Sequence, residues 1–169
     1  MTVIIKRTET TLKKVQDAID IIKKMDKETD MFLFRDDERK IDPEVFQKRI
    51  ENGYKENIYA IFIAYDKKTP VGYISVSRGI APRQMHGVEF AIGVLKAYQG
   101  QGISKQLMET MINWCREIDI KRIELHVRTN NETAVALYEK FGFKHEGTLK
   151  SKDFMDGKYY DQYVMAKFI

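Results

Sequence analysis

Val94-Leu95-Lys96-Ala97-Tyr98-Gln99-Gly100-Gln101-Gly102-Ile103-Ser104 joins an apolar run to an amphipathic one, and the architecture is read outward from it. Upstream, Gly87 to Val94 is short and apolar, a strand pattern. Downstream, from Ser104 to about Ile118, Leu107, Met108, Met111, Ile112 and Cys115 recur at threes and fours, one face of a helix. Glycines 100 and 102 remove Cβ atoms where a ligand would approach the backbone. The first amides of the helix lack intrahelical partners, and with the helix dipole they suit a pyrophosphate. Gln99 offers a side-chain donor beside them. The lysine-bearing P-loop pattern and the three-glycine dinucleotide fingerprint are both absent. On the glycines alone two readings stand: a phosphate-binding turn, or merely a tight strand-to-helix turn.

Short punctuated elements extend on both sides. Val3 to Ile5 is a β-branched opening strand, and Leu12, Val15, Ile19 and Ile22 mark a helix from Leu12 to Lys24. Asp42-Pro43-Glu44 starts a second helix, with Asp42 as cap, Pro43 at the first helical position and Gly53 near the end. Ile58 to Tyr65 and Val71 to Ser77 read as a hairpin. Beyond the central helix, Ile123 to Val127 is a strand and Asn131 to Phe141 a helix ended by Gly142. Lys144 to Leu149 and Tyr159 to Lys167 close the chain around an Asp156-Gly157 turn. The order is strand, two helices, three strands, helix, strand, helix, two strands. That order predicts a mixed α/β (α+β) fold, a single domain over residues 1–169.

Composition narrows the function classes. A length of 169 residues with 43% hydrophobic and 32% charged residues is a globular balance, not a disordered one. The apolar run Ile58 to Tyr65 is far shorter than the roughly 20 residues of a membrane span. No secretory leader pattern is visible, and one cysteine, Cys115, excludes an internal disulfide, so the expectation is a cytoplasmic protein without a membrane partner. Lys plus Arg is 29 against 25 Asp plus Glu. The excess is mild and interleaved, as in Lys121-Arg122-Ile123-Glu124, which argues against a nucleic-acid partner and suits an anionic cofactor.

Gln99-Gly100-Gln101-Gly102-Ile103-Ser104 resembles the coenzyme A signature of the GNAT superfamily of N-acetyltransferases: Gln or Arg, two residues, Gly, one residue, Gly or Ala. Gln99 and Gly102 match, and Ser104 departs from the small apolar final position. Downstream, Asn131-Glu132-Thr133-Ala134-Val135-Ala136-Leu137-Tyr138-Glu139-Lys140-Phe141-Gly142-Phe143 is similar to the second segment of that family. The resemblance covers about residues 58 to 169.

The resemblance implies a twisted mixed sheet of about six to seven strands flanked by about four helices. It also implies a split between two central parallel strands, Gly87 to Val94 and Ile123 to Val127. Acetyl-CoA would be the cosubstrate, without a metal. Its pantetheine would lie in the split against backbone near Ile92 and Val94. Its phosphates would lie on Gln99, Gly100, Gln101, Gly102, Ile103 and Ser104. Asn131, Ala134 and Lys140 would complete the coenzyme contacts, with Lys140 towards the 3′-phosphate; the alternatives are an N-cap for Asn131 and a solvated helix-face lysine for Lys140, the commoner outcome for such a residue.

Tyr138 stands where the family carries the acid that protonates the departing thiolate. A core tyrosine packed beside Leu137 and Phe141 is the alternative. Glu89, in the splayed strand among apolar neighbours, is a candidate base with a raised pKa. A paired structural carboxylate is the competing account, and His86, His126 and His145 are further candidates. Cys115 reads as a small core residue.

The acceptor would be a primary amine of a small molecule or a peptide N-terminus, attacked directly. The chain end faintly resembles the branch acting on ribosomal-protein N-termini or polyamines. A homodimer is one assembly open to such a domain. Acids between Met25 and Ile41 could draw a cationic amine, and a solvated mixed-charge loop is the simpler account. Two rivals stand beside the enzyme: a non-catalytic coenzyme A-binding module, and a binding domain for another phosphate ligand or nucleic acid.

Overall fold

The computed structural model describes residues 3–169. Its order is β1 (Val3–Arg7), α1 (Leu12–Glu28), α2 (Pro43–Glu56), β2 (Tyr59–Asp66), β3 (Thr69–Arg78), β4 (Gly87–Val94), α3 (Ile103–Glu117), β5 (Arg122–Arg128), α4 (Glu132–Lys140), β6 (Lys144–Met155) and β7 (Lys158–Phe168). The seven strands form one sheet in the order β1-β2-β3-β4-β5-β7-β6. All neighbours are antiparallel except β4 and β5. That parallel pair is joined only at Gly87–Arg122, Val88–Ile123 and Glu89–Glu124. Beyond Glu89 the strands part, so the edge of β4 from Phe90 to Val94 that faces β5 has no strand to pair with. The expected split is present, and its opening points towards the Gly100–Gly102 turn. No described helix is long and apolar enough to cross a membrane.

The split persists because each strand is held from its other side. β4 is paired to β3 along its whole length, and β5 to β7. Two cores cover the two faces. One face packs Leu107, Met108, Met111 and Cys115 of α3 against Ile74, Val76, Ile123 and Leu125. The other packs Val15, Ile19, Ile22 and Met25 of α1 and Ile50 of α2 against Ile61, Ile63 and Tyr73. Strand alternation therefore sends Val88, Phe90, Ile92 and Val94 to the α3 side and Glu89, Ala91 and Gly93 to the α1 side. Leu12, expected on the apolar face of α1, is 55% exposed because it occupies the frayed first position.

Local chemistry explains the boundaries. The Asp42 carboxylate accepts from the Glu44 and Val45 amides at 2.9 Å each, capping α2 as expected. Gly53 does not end that helix. A Cβ there would stand 2.4 Å from Tyr59 Cβ, so its role is close approach, and Asn57 in the left-handed region ends the helix. β6 runs six residues past the expected Leu149, to Met155. Its extension, Lys150-Ser151-Lys152-Asp153, has no apolar alternation. It is held instead by Asp161, which accepts from Lys150 Nζ and the Ser151 amide at 2.8 Å each.

The connection between α1 and α2 is pinned over the α1 side of the split. Arg39 donates to both oxygens of Asp26, at 2.6 and 3.1 Å, and Asp26 is 4% exposed. Arg35 reaches Asp156 of the β6–β7 turn at 2.5 Å, and Phe32 stacks on Tyr73. The buried pair is asymmetric, since the Arg39 side chain is 25% exposed and that of Asp26 only 2%. Arg39→Ala is expected to destabilise by about 3 kcal/mol, because it strands a buried carboxylate, and Asp26→Asn by less, because the arginine can reach water. Urea unfolding of both variants checks the order; equal losses, or a greater loss in Asp26→Asn, would refute it.

Candidate active site

The turn after β4 is shaped by backbone. Gly100 and Gly102 have φ of +72° and +78°, a region that favours glycine, and a Cβ at either would meet no atom within 4 Å. The space is open and faces the first turn of α3. The first bond into that helix is Gln106 N–H to Gly102 O at 3.2 Å, which leaves the amides of Ile103, Ser104 and Lys105 without intrahelical partners. No side chain caps this end. Ile103 itself is buried in the core and contributes backbone only. Gln99, expected as a phosphate donor, donates its side-chain amide to Val94 O at 3.1 Å and so ties the turn to the strand end. Gln101 donates to Ala97 O at 3.2 Å. The glutamines thus brace the turn, and the groups left free to meet an anion are the amides.

Tyr138 lies across the split from β4. Its ring packs edge-on against Phe90, with centroids 5.7 Å apart, and tilted against Phe143 at 6.0 Å. The residue is 7% exposed. Its hydroxyl makes no hydrogen bond to a described residue, yet it is not among the fully enclosed polar atoms. Burial pushes the phenol above its ordinary pKa. Tyr138 is thus a core residue by its ring, while its hydroxyl is left without a described partner and keeps its proton at neutral pH. Asn131 caps α4, accepting from the Ala134 amide at 3.3 Å. Lys140 is exposed at the end of the same helix.

Glu89 differs from expectation in its surroundings. Its apolar sequence neighbours Val88 and Phe90 point to the opposite face, and Glu89 is exposed on the α1 side. There it meets Glu124 and His126 of β5, with one donor atom from each residue within 4.8 Å of the others. His126 Nε2 is 3.5 Å from Glu124 Oε1, and Arg122 donates to Glu124 Oε2 at 2.6 Å. The cluster sits where the β4–β5 ladder ends. Glu124 was not singled out in the sequence, where 35 residues separate it from Glu89. The signal that could have found it is the shared parity of Glu124 and His126 on a strand predicted to lie beside Glu89.

The other candidates are placed elsewhere. His145 is bound to Glu139 at 3.2 Å and meets Tyr163 edge-on on the outer hairpin. His86 precedes β4 and lends its carbonyl to the Lys121 and Arg122 amides. Cys115 is buried in the α3 core, where desolvation pushes its thiol up to about 12. The acids of the α1–α2 connection are largely engaged: Asp26 with Arg39, Asp36 with Lys27 at 3.3 Å, and Glu38 with the Arg35 amide at 2.8 Å. The mixed-charge account of that segment is the one the contacts support. A concavity of about 470 Å³ runs beneath it, from Asp30 and Asp36 to Lys96 at the start of the turn.

The model of the acetyltransferase (GNAT) family matches residues 23–143. An L-amino acid N-acetyltransferase of Escherichia coli is 36% identical over 57% of this chain and 60% of its own length. The N-alpha-acetyltransferase RimI of Mycobacterium tuberculosis is 36% identical over 59% of this chain and 60% of its own. The chain thus spans about three fifths of these curated relatives. Among solved structures, a GNAT-family acetyltransferase of Streptococcus pneumoniae superimposes with a TM-score of 0.92, covering 99% of each chain at 24% identity.

Proposed function

The chain belongs to the acetyltransferase (GNAT) family, and from that premise we propose that it moves an acetyl group from acetyl-CoA to a primary amine by direct attack. The observation that carries this reading is the split itself: an unpaired β4 edge that leads to an open cradle of helix amides. Pantetheine has amides that can pair with such an edge, and a pyrophosphate is the anion such a cradle suits. Gly100, Gly102 and the amides of Ile103 and Ser104 hold the phosphates, Ile92 and Val94 the pantetheine, and Asn131, Ala134 and Lys140 border the coenzyme.

The chemistry follows from charge. The acceptor arrives as an ammonium ion and must lose a proton to expose its lone pair. The Glu89–Glu124–His126 cluster lies on the open acceptor face and takes that proton. Arg122 already neutralises Glu124, so Glu89 carries the negative charge that draws the ammonium ion. The amine nitrogen then bonds to the acetyl carbonyl carbon, backbone amides near Val94 stabilise the oxyanion, and collapse breaks the carbon–sulfur bond. The thiolate takes a proton from the Tyr138 hydroxyl, and the second proton shed by the nitrogen restores that hydroxyl. One proton is released overall per acetyl group transferred.

Incubation with acetyl-CoA and a panel of amines, amino acids and N-terminal peptides, read by thiol release, tests the reading. Coenzyme binding with no thiol release from any acceptor would leave the non-catalytic module. A second measurement addresses the base. Glu89→Gln is expected to lower kcat by about a hundredfold, the low end of what a general base contributes. An unchanged kcat with the best acceptor would transfer the role to the substrate itself or to His126.

A further inference from the structure

One charge in the described residues is buried and almost unanswered. The Arg128 side chain, at the end of β5, is 5% exposed. Of its five N–H groups, one is used, with Nη1 donating to Asp30 O at 2.8 Å. The Asp30 carboxylate is 3.9 Å from Nη1, beyond hydrogen-bond reach, and is half exposed. Nε is fully enclosed and has no partner, and Nη2 makes no hydrogen bond. The guanidinium lies 3.8 Å over the Tyr160 ring, which supports it without pairing its N–H groups. A buried guanidinium left in this state is costly. Enclosed as it is, Nε is beyond a ligand's reach; Nη2 is without a partner and is not among the enclosed atoms, so it is the end of the guanidinium that can donate to a carboxylate oxygen.

Arg128 also stands in register with the proton-accepting cluster. Glu124, His126 and Arg128 alternate onto one face of β5, at steps of about 6.6 Å. The β4–β5 ladder ends at Glu124, so His126 and Arg128 border the opening of the split. The face thus offers carboxylates and an imidazole at one station and a guanidinium with a free Nη2 at the next. We propose that Arg128 anchors the carboxylate of a zwitterionic α-amino acid acceptor, whose ammonium group lies at Glu89, Glu124 and His126. This rests on the transferase reading above and names its acceptor class. A peptide N-terminus brings no α-carboxylate to Arg128, and a polyamine would bring a second cation against it, which works against both.

The test compares acceptors first, because it needs no variant. The twenty L-amino acids, their amides and short N-terminal peptides are assayed separately with acetyl-CoA. The best free amino acid is expected to exceed its own amide in kcat/KM by about a hundredfold, mostly through KM. Arg128→Gln should erase that preference with coenzyme affinity unchanged, and Arg128→Lys should restore part of it. Amides or peptides that perform as well as the free acids would overturn the proposal while leaving the transferase intact. Where no acceptor releases thiol, calorimetry with the same amino acids and the coenzyme-loaded protein still decides. Carboxylate-dependent binding lost in Arg128→Gln sustains the anchor while the transferase reading falls, and no binding by any free amino acid overturns the anchor as well.

Discussion

Gly102→Asp is expected to abolish useful acetyl-CoA binding while lowering stability only slightly. Gly102 caps α3 at φ +78°, with open space where a side chain would project. Aspartate tolerates this region better than most residues, and the strain is about 1 kcal/mol. Side-chain capping uses an extended N-cap backbone, which Gly102 does not have, so no cap offsets this strain and the loss of stability stays near that figure. The expected effect on binding is larger, because on the proposed reading the new carboxylate would project into the open space that the phosphates enter and would carry like charge. Losing two charge-assisted hydrogen bonds, each about 1.5–3 kcal/mol, weakens affinity by more than about a hundredfold. Gly102→Ala separates the two causes, since it carries the strain without the charge and should bind far better than Gly102→Asp. Titration calorimetry showing unchanged coenzyme affinity in Gly102→Asp would place the phosphates elsewhere.

The element order was legible because each signal was local. Asp42-Pro43 marks a helix start, Asp156-Gly157 a turn, and the apolar rhythm of Leu107, Met111 and Cys115 a helix face. Residues whose role is a backbone conformation were legible for the same reason, which is why Gly100 and Gly102 could be assigned. Direction across a strand is less legible. The sequence neighbours of Glu89 are apolar, yet strand alternation sends Val88 and Phe90 to the opposite face and leaves Glu89 exposed. A glutamine beside a glycine turn looks like a ligand donor, and in the fold the Gln99 amide holds Val94 O. Nothing in a sequence distinguishes a strand arginine such as Arg128 with partners from one without. That distinction appears only when the α1–α2 connection folds over the sheet and supplies one carbonyl, that of Asp30.

Tyr138→Phe is expected to lower kcat by roughly ten- to a thousandfold, with coenzyme affinity nearly constant. The affinity stays because the ring stays: its packing on Phe90 and Phe143 does not involve the hydroxyl. The hydroxyl makes no hydrogen bond to a described residue, so removing it leaves no abandoned partner in the core, and the fold is expected to hold or tighten slightly. A thiolate, however, must leave from beside an apolar wall, where an unprotonated sulfur anion is poorly solvated. A phenol held neutral by burial would have a proton to give there at neutral pH. Because that pKa is raised, the tyrosine contributes no alkaline limb near neutrality, and the wild-type rate should rise with pH and then level. The decisive comparison uses acyl donors. If Tyr138 protonates the sulfur, a coenzyme analogue with a more acidic thiol needs that help less, and the penalty of Tyr138→Phe should shrink with it. A penalty that is constant across donors, or no penalty with the best acceptor, would leave Tyr138 as a packing residue alone.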